Sequence, residues 1–213
     1  MILTVAPTRA AAMTVTDSLT ERFGAFIIIV LGETLTGVVG GLASQSVSAL
    51  TMAVGLVAVV VGFGAWWTYF DFAGQRLPRP EPVSTVQWIL GPLPLTAAVA
   101  AMGAAMVSLV DHAHDGRTPA ATAWVLSAGA AVVLGTTMLV AATLPAWEDK
   151  RGLYRPLVRT SVAVALACLG VGAVRPTPLV LGLALVLLLS IPWGFAVARR
   201  LAGEADPPGT HQA

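Results

Sequence analysis

The sequence contains few charged residues. Only 11% of its 213 residues are Asp, Glu, Lys or Arg, whereas 56% are hydrophobic. An average soluble domain has about 25% charged residues. A soluble fold cannot hide so large an apolar excess, so the composition excludes that class and indicates an integral membrane protein.

The sequence also has only one cysteine, no recognisable signal peptide and almost no net charge. Cys168 is the only cysteine, which excludes an intrachain disulfide and leaves the redox compartment open. Residues 1–16 lack the basic start and apolar core of a cleavable signal peptide. A net charge of +1 gives no basis for a nucleic-acid partner.

Catalytic and cofactor motifs are missing as well. The chain has no zinc-protease helix, no phosphate-binding glycine loop and no Ser/His/Asp arrangement. Residues 111–115 place two Asp and two His in one short loop, but no second ligand cluster accompanies them, so a solvated, pH-responsive loop is favoured over a metal site. We therefore predict no cofactor, no metal and no enzyme activity.

Long apolar runs fill most of the chain. They are too long for soluble core helices and too continuous for barrel strands. Six segments are predicted to span the membrane, at residues 23–43, 50–70, 86–110, 119–144, 157–174 and 178–198. The expected fold is all-α, a polytopic bundle of six transmembrane helices over residues 17–201, after an irregular lead at 1–16 and before a disordered tail at 202–213.

The basic residues are distributed unequally between the two sides of this arrangement. One side, which includes both termini, holds Arg9, Arg22, Arg76, Arg79, Lys150, Arg151, Arg155, Arg159, Arg199 and Arg200. The other side holds only Arg117 and Arg175. Cytoplasmic loops carry the excess of Lys and Arg, so both termini are predicted to be cytoplasmic.

One acid lies in the middle of the first apolar segment. Glu33 is the only charged residue between Phe23 and Ala43, with ten residues on either side. At 1.5 Å per residue it lies about 15 Å from each end, near the bilayer midplane. A charge there costs at least ~2.5–3.5 kcal/mol and usually faces a bundle interior or a water-filled cavity.

Small and polar residues accompany Glu33 on its helix. Gly37 and Gly40 project within about 40° of it, and Gly32 and Gly41 are further candidates for helix packing. This stripe predicts close helix contact or a cavity wall, either of which would keep Glu33 away from lipid. Two interpretations remain open. Glu33 either locks helices together as a hydrogen-bonded structural group, or it binds or moves a proton, ion or solute, which is favoured.

Four other residues are candidates for the same proton, ion or solute site: Glu21, Arg22, Thr36 and Asp71. Arg22 shares the face of Glu33 but lies about 16 Å away along the helix, too far for direct contact. Asp71 ends the second span, where it either caps a cavity and pairs with Arg22 or Arg76, or is an ordinary solvated carboxylate.

Aromatic and helix-breaking residues mark two further places. Trp66, Trp67 and Tyr69 crowd the end of the second span, which is typical of an interfacial aromatic belt. In the last span Pro192 removes a backbone donor and Gly194 adds freedom, so a kink or hinge is predicted there.

Two motifs support a family resemblance. The order Glu-Arg-Phe-Gly-x-Phe-x-Ile-Ile-x-Leu-Gly-Glu at residues 21–33, followed by Trp-Trp-x-Tyr-Phe-Asp at 66–71, resembles the bacterial low temperature requirement protein A family. Ser18 and Pro92 stand where the family pattern carries histidines. The resemblance implies a location in the bacterial inner membrane. It also implies that this chain corresponds to the C-terminal half of longer members.

The family takes its name from a growth phenotype, so the resemblance implies a location and a fold more than an activity. We expect an ion-, proton- or small-solute-conducting channel or transporter module centred on Glu33. The alternatives are a non-catalytic membrane scaffold or cold- and stress-adaptation factor and, more weakly, a membrane enzyme acting on lipids. The expected partners are the lipid bilayer and either a second copy or the missing N-terminal half.

Overall fold

The computed structural model describes residues 16–44, 48–74, 76–149 and 151–204. Within them the chain forms eight helices, which we number in chain order. They are α1 (Asp17–Ser44), α2 (Ala49–Phe72), α3 (Pro82–Leu90), α4 (Pro92–Asp111), α5 (Ala120–Ala141), α6 (Ala146–Asp149), α7 (Arg151–Val174) and α8 (Pro178–Glu204). The irregular lead and the disordered tail predicted from the sequence fall mainly on residues 1–15 and 205–213, outside the described residues.

Six helical segments are long and apolar enough to cross a membrane, which confirms the predicted span number. Five of these segments are single helices. The remaining one, which is the third along the chain, consists of α3 and α4 together, over Pro82–Asp111. The predicted boundaries are too short at several ends, because polar residues extend the helices beyond the apolar runs. The last helix, for example, continues to Glu204, three residues beyond the predicted end of the helical domain.

The division between α3 and α4 occurs at Gly91. Its backbone is still helical, with φ −56° and ψ −44°, but Pro92 follows and lacks the N–H that a continuous helix needs. Space also matters here, because a Cβ on Gly91 would collide with the side chain of Val140 on α5. The glycine therefore allows the third span to approach α5 closely.

The six spans form a closed ring in the order α1, α4, α5, α7, α8 and α2, and α2 also contacts α4 and α5 across the interior. The span that contains α4 and the span formed by α5 are the most buried, while α1 and α7 are the least. Large side chains fully buried in the core include Leu95, Met102, Met106, Leu126, Leu134, Leu181 and Leu185. These side chains fill the middle of the described part of the bundle, and the candidate sites considered below are grooves between neighbouring helices.

The short connection between α7 and α8 joins the two helices into an antiparallel hairpin. Arg175 has a positive φ of 54°, the left-handed conformation that commonly ends a helix. Its backbone N–H donates to the Val171 carbonyl at 3.1 Å, and its Nε donates to the Thr118 carbonyl at 3.1 Å. The turn is therefore tied to the segment that enters α5.

Candidate functional site

A groove of about 390 Å³ runs along the bundle surface between α1 and α4. Its walls are mostly apolar or small. The lining residues are Ile29, Val30, Glu33, Thr34, Gly37, Ala100, Gly103, Ala104 and Val107. Glu33 is the only ionisable residue in this lining, so the groove is the candidate site.

The side chain of Glu33 is exposed on the outer flank of α1. The buried face of this helix is formed by Ile27, Leu31, Thr34 and Val38. With 3.6 residues per turn, Glu33 projects roughly 130° from the middle of that face. Of the two surroundings expected for Glu33, a bundle interior or a water-filled cavity, the bundle interior was wrong in the described part of the chain. The apolar residues occupy the inward face of α1, and Glu33 borders a groove that opens outward.

Small residues bring α1 and α4 into close contact beside Glu33. A Cβ on Gly103 would lie 2.7 Å from Thr34 Oγ1, and Cβ atoms on Gly37 and Gly41 would lie 3.4 and 3.3 Å from the side chain of Val107. Gly32 and Gly40 differ, because nothing among the described residues lies within 4 Å of the position of their Cβ. Of the four glycines predicted to pack, Gly37 and Gly41 therefore face α4, whereas Gly32 and Gly40 lie on the outer face of α1.

The hydroxyl groups near Glu33 are held by their own helix. Thr34 Oγ1 donates to the Val30 carbonyl and Thr36 Oγ1 to the Gly32 carbonyl, each at 2.9 Å. Their remaining lone pairs can accept, but the groove lining offers only the Glu33 carboxyl and Thr34 as polar side chains. Hard cations such as Mg²⁺ and Ca²⁺ take six or more oxygen ligands. This arrangement therefore suits a proton better than a metal ion.

The other predicted site residues do not line this groove. Glu21 and Arg22 are exposed on the first turns of α1, and Thr36 is exposed beyond the groove. Asp71 is half-buried at the end of α2, where Arg76 donates from Nη2 to its backbone carbonyl at 3.1 Å. Asp71 therefore belongs to the Arg-rich end of the bundle and not to the Glu33 groove.

The predicted aromatic belt is only partly at the surface. Trp67 is 44% exposed, whereas Tyr69 is 3% exposed and packs in the core. The half-buried Trp66 stacks on Phe70, with ring centroids 4.9 Å apart. The interfacial assignment was wrong for Tyr69, because the helix turns its side chain inward.

The predicted hinge lies within an unbroken helical segment. α8 continues through Pro192, which is buried, and through the exposed Gly194. Pro192 still leaves its local backbone one donor short, so the hinge stays a prediction.

The histidine loop makes a contact that the sequence did not indicate. His114 Nε2 lies 3.1 Å from Ser48 Oγ and 3.3 Å from Thr51 Oγ1 at the start of α2, while His112 Nδ1 lies 2.8 Å from the Ser108 carbonyl. No group of three or more His, Cys, Asp or Glu among the described residues could hold a metal. The loop thus contacts the helix cap formed by Ser48.

The wall contributed by α4 was also missed from the sequence. Ala100 and Ala104, four residues apart, line the groove together with Gly103. Spacing of this kind among small residues is the signal that could have identified α4 as the partner of α1. It is weak here, because Ala is abundant throughout the third span.

A comparison with known protein families shows that residues 2–191 match the family described as "Bacterial low temperature requirement A protein". No match is found among curated proteins or among solved structures. The match covers both quoted motifs, the Glu33 groove and all six spans except the end of the last. The chain therefore belongs to the bacterial low temperature requirement A family.

Proposed function

We propose that this protein conducts protons, or couples proton movement to the transport of a small solute, with the Glu33 carboxyl as the proton-binding group. The observation that supports this is the depth of Glu33 in its span. Every other Asp, Glu, Lys or Arg in the six spans lies within six residues of a span end. An acid kept at the midplane is costly and is usually functional.

The chemistry requires only an O–H bond. A Glu33 oxygen takes up a proton from one aqueous side and gives it to the other, so one proton is transferred in each cycle. The neutral acid is the form that hydrocarbon tolerates, while the charged form needs water or a polar partner. Thr34 and Gly103 pack closely beside Glu33, so α1 is held against α4 while the carboxyl is open on the outer flank.

The test is proton flux in vesicles that contain the purified protein and a trapped pH dye. We expect Glu33→Gln to abolish the flux, because an amide cannot release a proton, and Glu33→Asp to retain part of it. Glu81→Gln is the matched control, since Glu81 is an exposed acid in the connection before α3. Flux that survives in Glu33→Gln, with protein folded to the same yield, would refute the proposal.

A second candidate function is supported by the exposure of the α1 outer face. Glu33, Gly32 and Gly40 all lie on that face, and a carboxyl there can hydrogen-bond to another subunit. In this case the protein is a membrane scaffold, and Glu33 holds an assembly together. Glu33→Gln would then change the oligomeric mass in detergent or the thermal stability of the assembly, with no flux in the unsubstituted protein.

We also propose that the protein lies in the bacterial inner membrane with both termini in the cytoplasm and acts without a catalytic centre. The excess of basic residues at one end of the bundle supports this orientation.

A further inference from the structure

A second groove lies between α5 and α7, separated from the first along the ring by the contact of α4 with α5. Its volume is about 410 Å³, and it opens toward the membrane through the exposed residues Leu139, Val162 and Leu166. It lies toward the Arg-rich end of the bundle, where Ala142 and Trp147 form part of its wall. The Trp147 ring stacks on Tyr154, with centroids 4.7 Å apart, so a pair of aromatic rings marks this end.

Positive charge lies beside the same end. Arg155 is exposed on α7, three residues before Val158 and seven before Val162, which places all three on one side of the helix. Arg79 donates from Nη2 to the backbone carbonyl of Ala142 at 3.1 Å, which places its guanidinium at the other wall. An apolar groove with a guanidinium beside each wall at one end is complementary to an anionic amphiphile.

The groove also contains a buried hydroxyl. Ser161 is 2% exposed and lines the groove, and its Oγ has no hydrogen-bond partner among the described residues. An unpaired buried donor is unfavourable, so a rotation of the Ser161 hydroxyl toward an acceptor in the groove would be stabilising. Ser161 follows Arg159 by two residues, about 3 Å along the helix. Arg159 is exposed, and its long side chain can extend toward the headgroups, so Ser161 lies in the part of the span nearest the Arg-rich end.

We propose that the α5–α7 groove is a binding site for one anionic glycerophospholipid. Its phosphate is held by Arg155, Arg79 adds positive charge at the other wall, and one ester carbonyl accepts from Ser161 once that side chain has rotated toward the groove. One acyl chain lies along Leu139, Val162 and Leu166. The site is separate from the Glu33 groove, and it does not depend on proton conduction.

The test is native mass spectrometry of the purified protein with phosphatidylglycerol and phosphatidylcholine of identical acyl chains. We expect one phosphatidylglycerol to be retained in preference to phosphatidylcholine. Arg155→Gln should reduce that preference roughly fivefold, the effect of one basic residue near an anionic membrane surface. Arg117→Gln is the control, because Arg117 is also exposed but lies in the loop before α5, at the far end of that helix, where it donates to the Val174 carbonyl. An equal loss in both variants would refute the headgroup contact.

The proposed acyl-chain contact is tested with a separate matched pair of variants. Gly135 lines the groove and Gly170 does not, and both have open space where a Cβ would lie. Gly135→Leu should fill the groove and remove the retained lipid, whereas Gly170→Leu should not. If Gly135→Leu does not fold, Val162→Phe is the alternative variant, because its larger side chain obstructs the groove from the α7 wall. Retention of phosphatidylglycerol in the folded obstructed variants, or no preference in the unsubstituted protein, would overturn the proposal.

Discussion

Thr34 and Gly103 are in contact at the point where α1 crosses α4, one residue from Glu33. A Cβ on Gly103 would lie 2.7 Å from Thr34 Oγ1, 2.8 Å from its Cγ2 and 3.0 Å from its Cβ. Thr34 is 6% exposed and its hydroxyl is bonded to the Val30 carbonyl. The threonine therefore has little freedom to move aside, and the absence of a side chain at Gly103 sets the depth of the groove.

The first prediction concerns this contact. Gly103→Ala should destabilise the protein by about 1–3 kcal/mol, because the added methyl forces apart two packed helices. Gly32→Ala is the control and should stabilise the protein by up to about 1 kcal/mol, since alanine favours a helix and nothing among the described residues lies within 4 Å of its Cβ position. Unfolding in mixed detergent micelles measures both, and equal effects would contradict the close contact.

The second prediction concerns the outward position of Glu33. A lipid-soluble carbodiimide, which reaches protonated carboxyls from the hydrocarbon, should modify Glu33 in membranes. Peptide mass mapping should locate the adduct within residues 23–43, and Glu33→Gln should lose it. If the adduct appears only after detergent unfolding, the carboxyl is shielded in the membrane by another subunit or segment. That outcome would refute the lipid-accessible position.

The third prediction concerns the turn after α7. Arg175→Gly should be more stable than Arg175→Ala by about 1 kcal/mol, because only glycine adopts the φ of 54° without strain. The opposite order is expected at Ala163, an exposed position inside α7, where Ala163→Gly should destabilise by about 1 kcal/mol. Denaturation in detergent measures both pairs. A more stable alanine at position 175 would contradict the left-handed conformation.

The fourth prediction tests orientation by cysteine labelling in a Cys168→Ala background. Gly116→Cys should react with an impermeant maleimide from outside spheroplasts, and Gly152→Cys only after permeabilisation. Both positions are exposed with open space around them. Thr118, in the same loop as Gly116, is unsuitable for labelling because it is fully buried and bonded to the Pro176 carbonyl. The opposite labelling pattern would show that the topology is inverted. Labelling of both positions from outside would contradict the number of spans.

The candidate site was predicted from the sequence only in part. Glu33 was identified because a charge in a long apolar segment is visible without a structure. Its partner wall at Ala100 and Gly103 was not, because small residues are common in all six spans and each would suit several neighbours. Ser161 was missed for a similar reason, since a serine in a membrane helix usually bonds its own backbone, and only packing shows that this one does not.

Composition and periodicity by themselves determined that this chain forms six membrane-spanning helices. The reason is that hydrocarbon forces backbone groups to bond within a helix and sets the length of each apolar segment. The tertiary structure decided which face of each helix turns inward. For α1 the apolar residues Ile27, Leu31 and Val38 took the interior. In a chain that is apolar on every side, the orientation of a helix depends on the shapes of its neighbours, and these are fixed only when all six pack together.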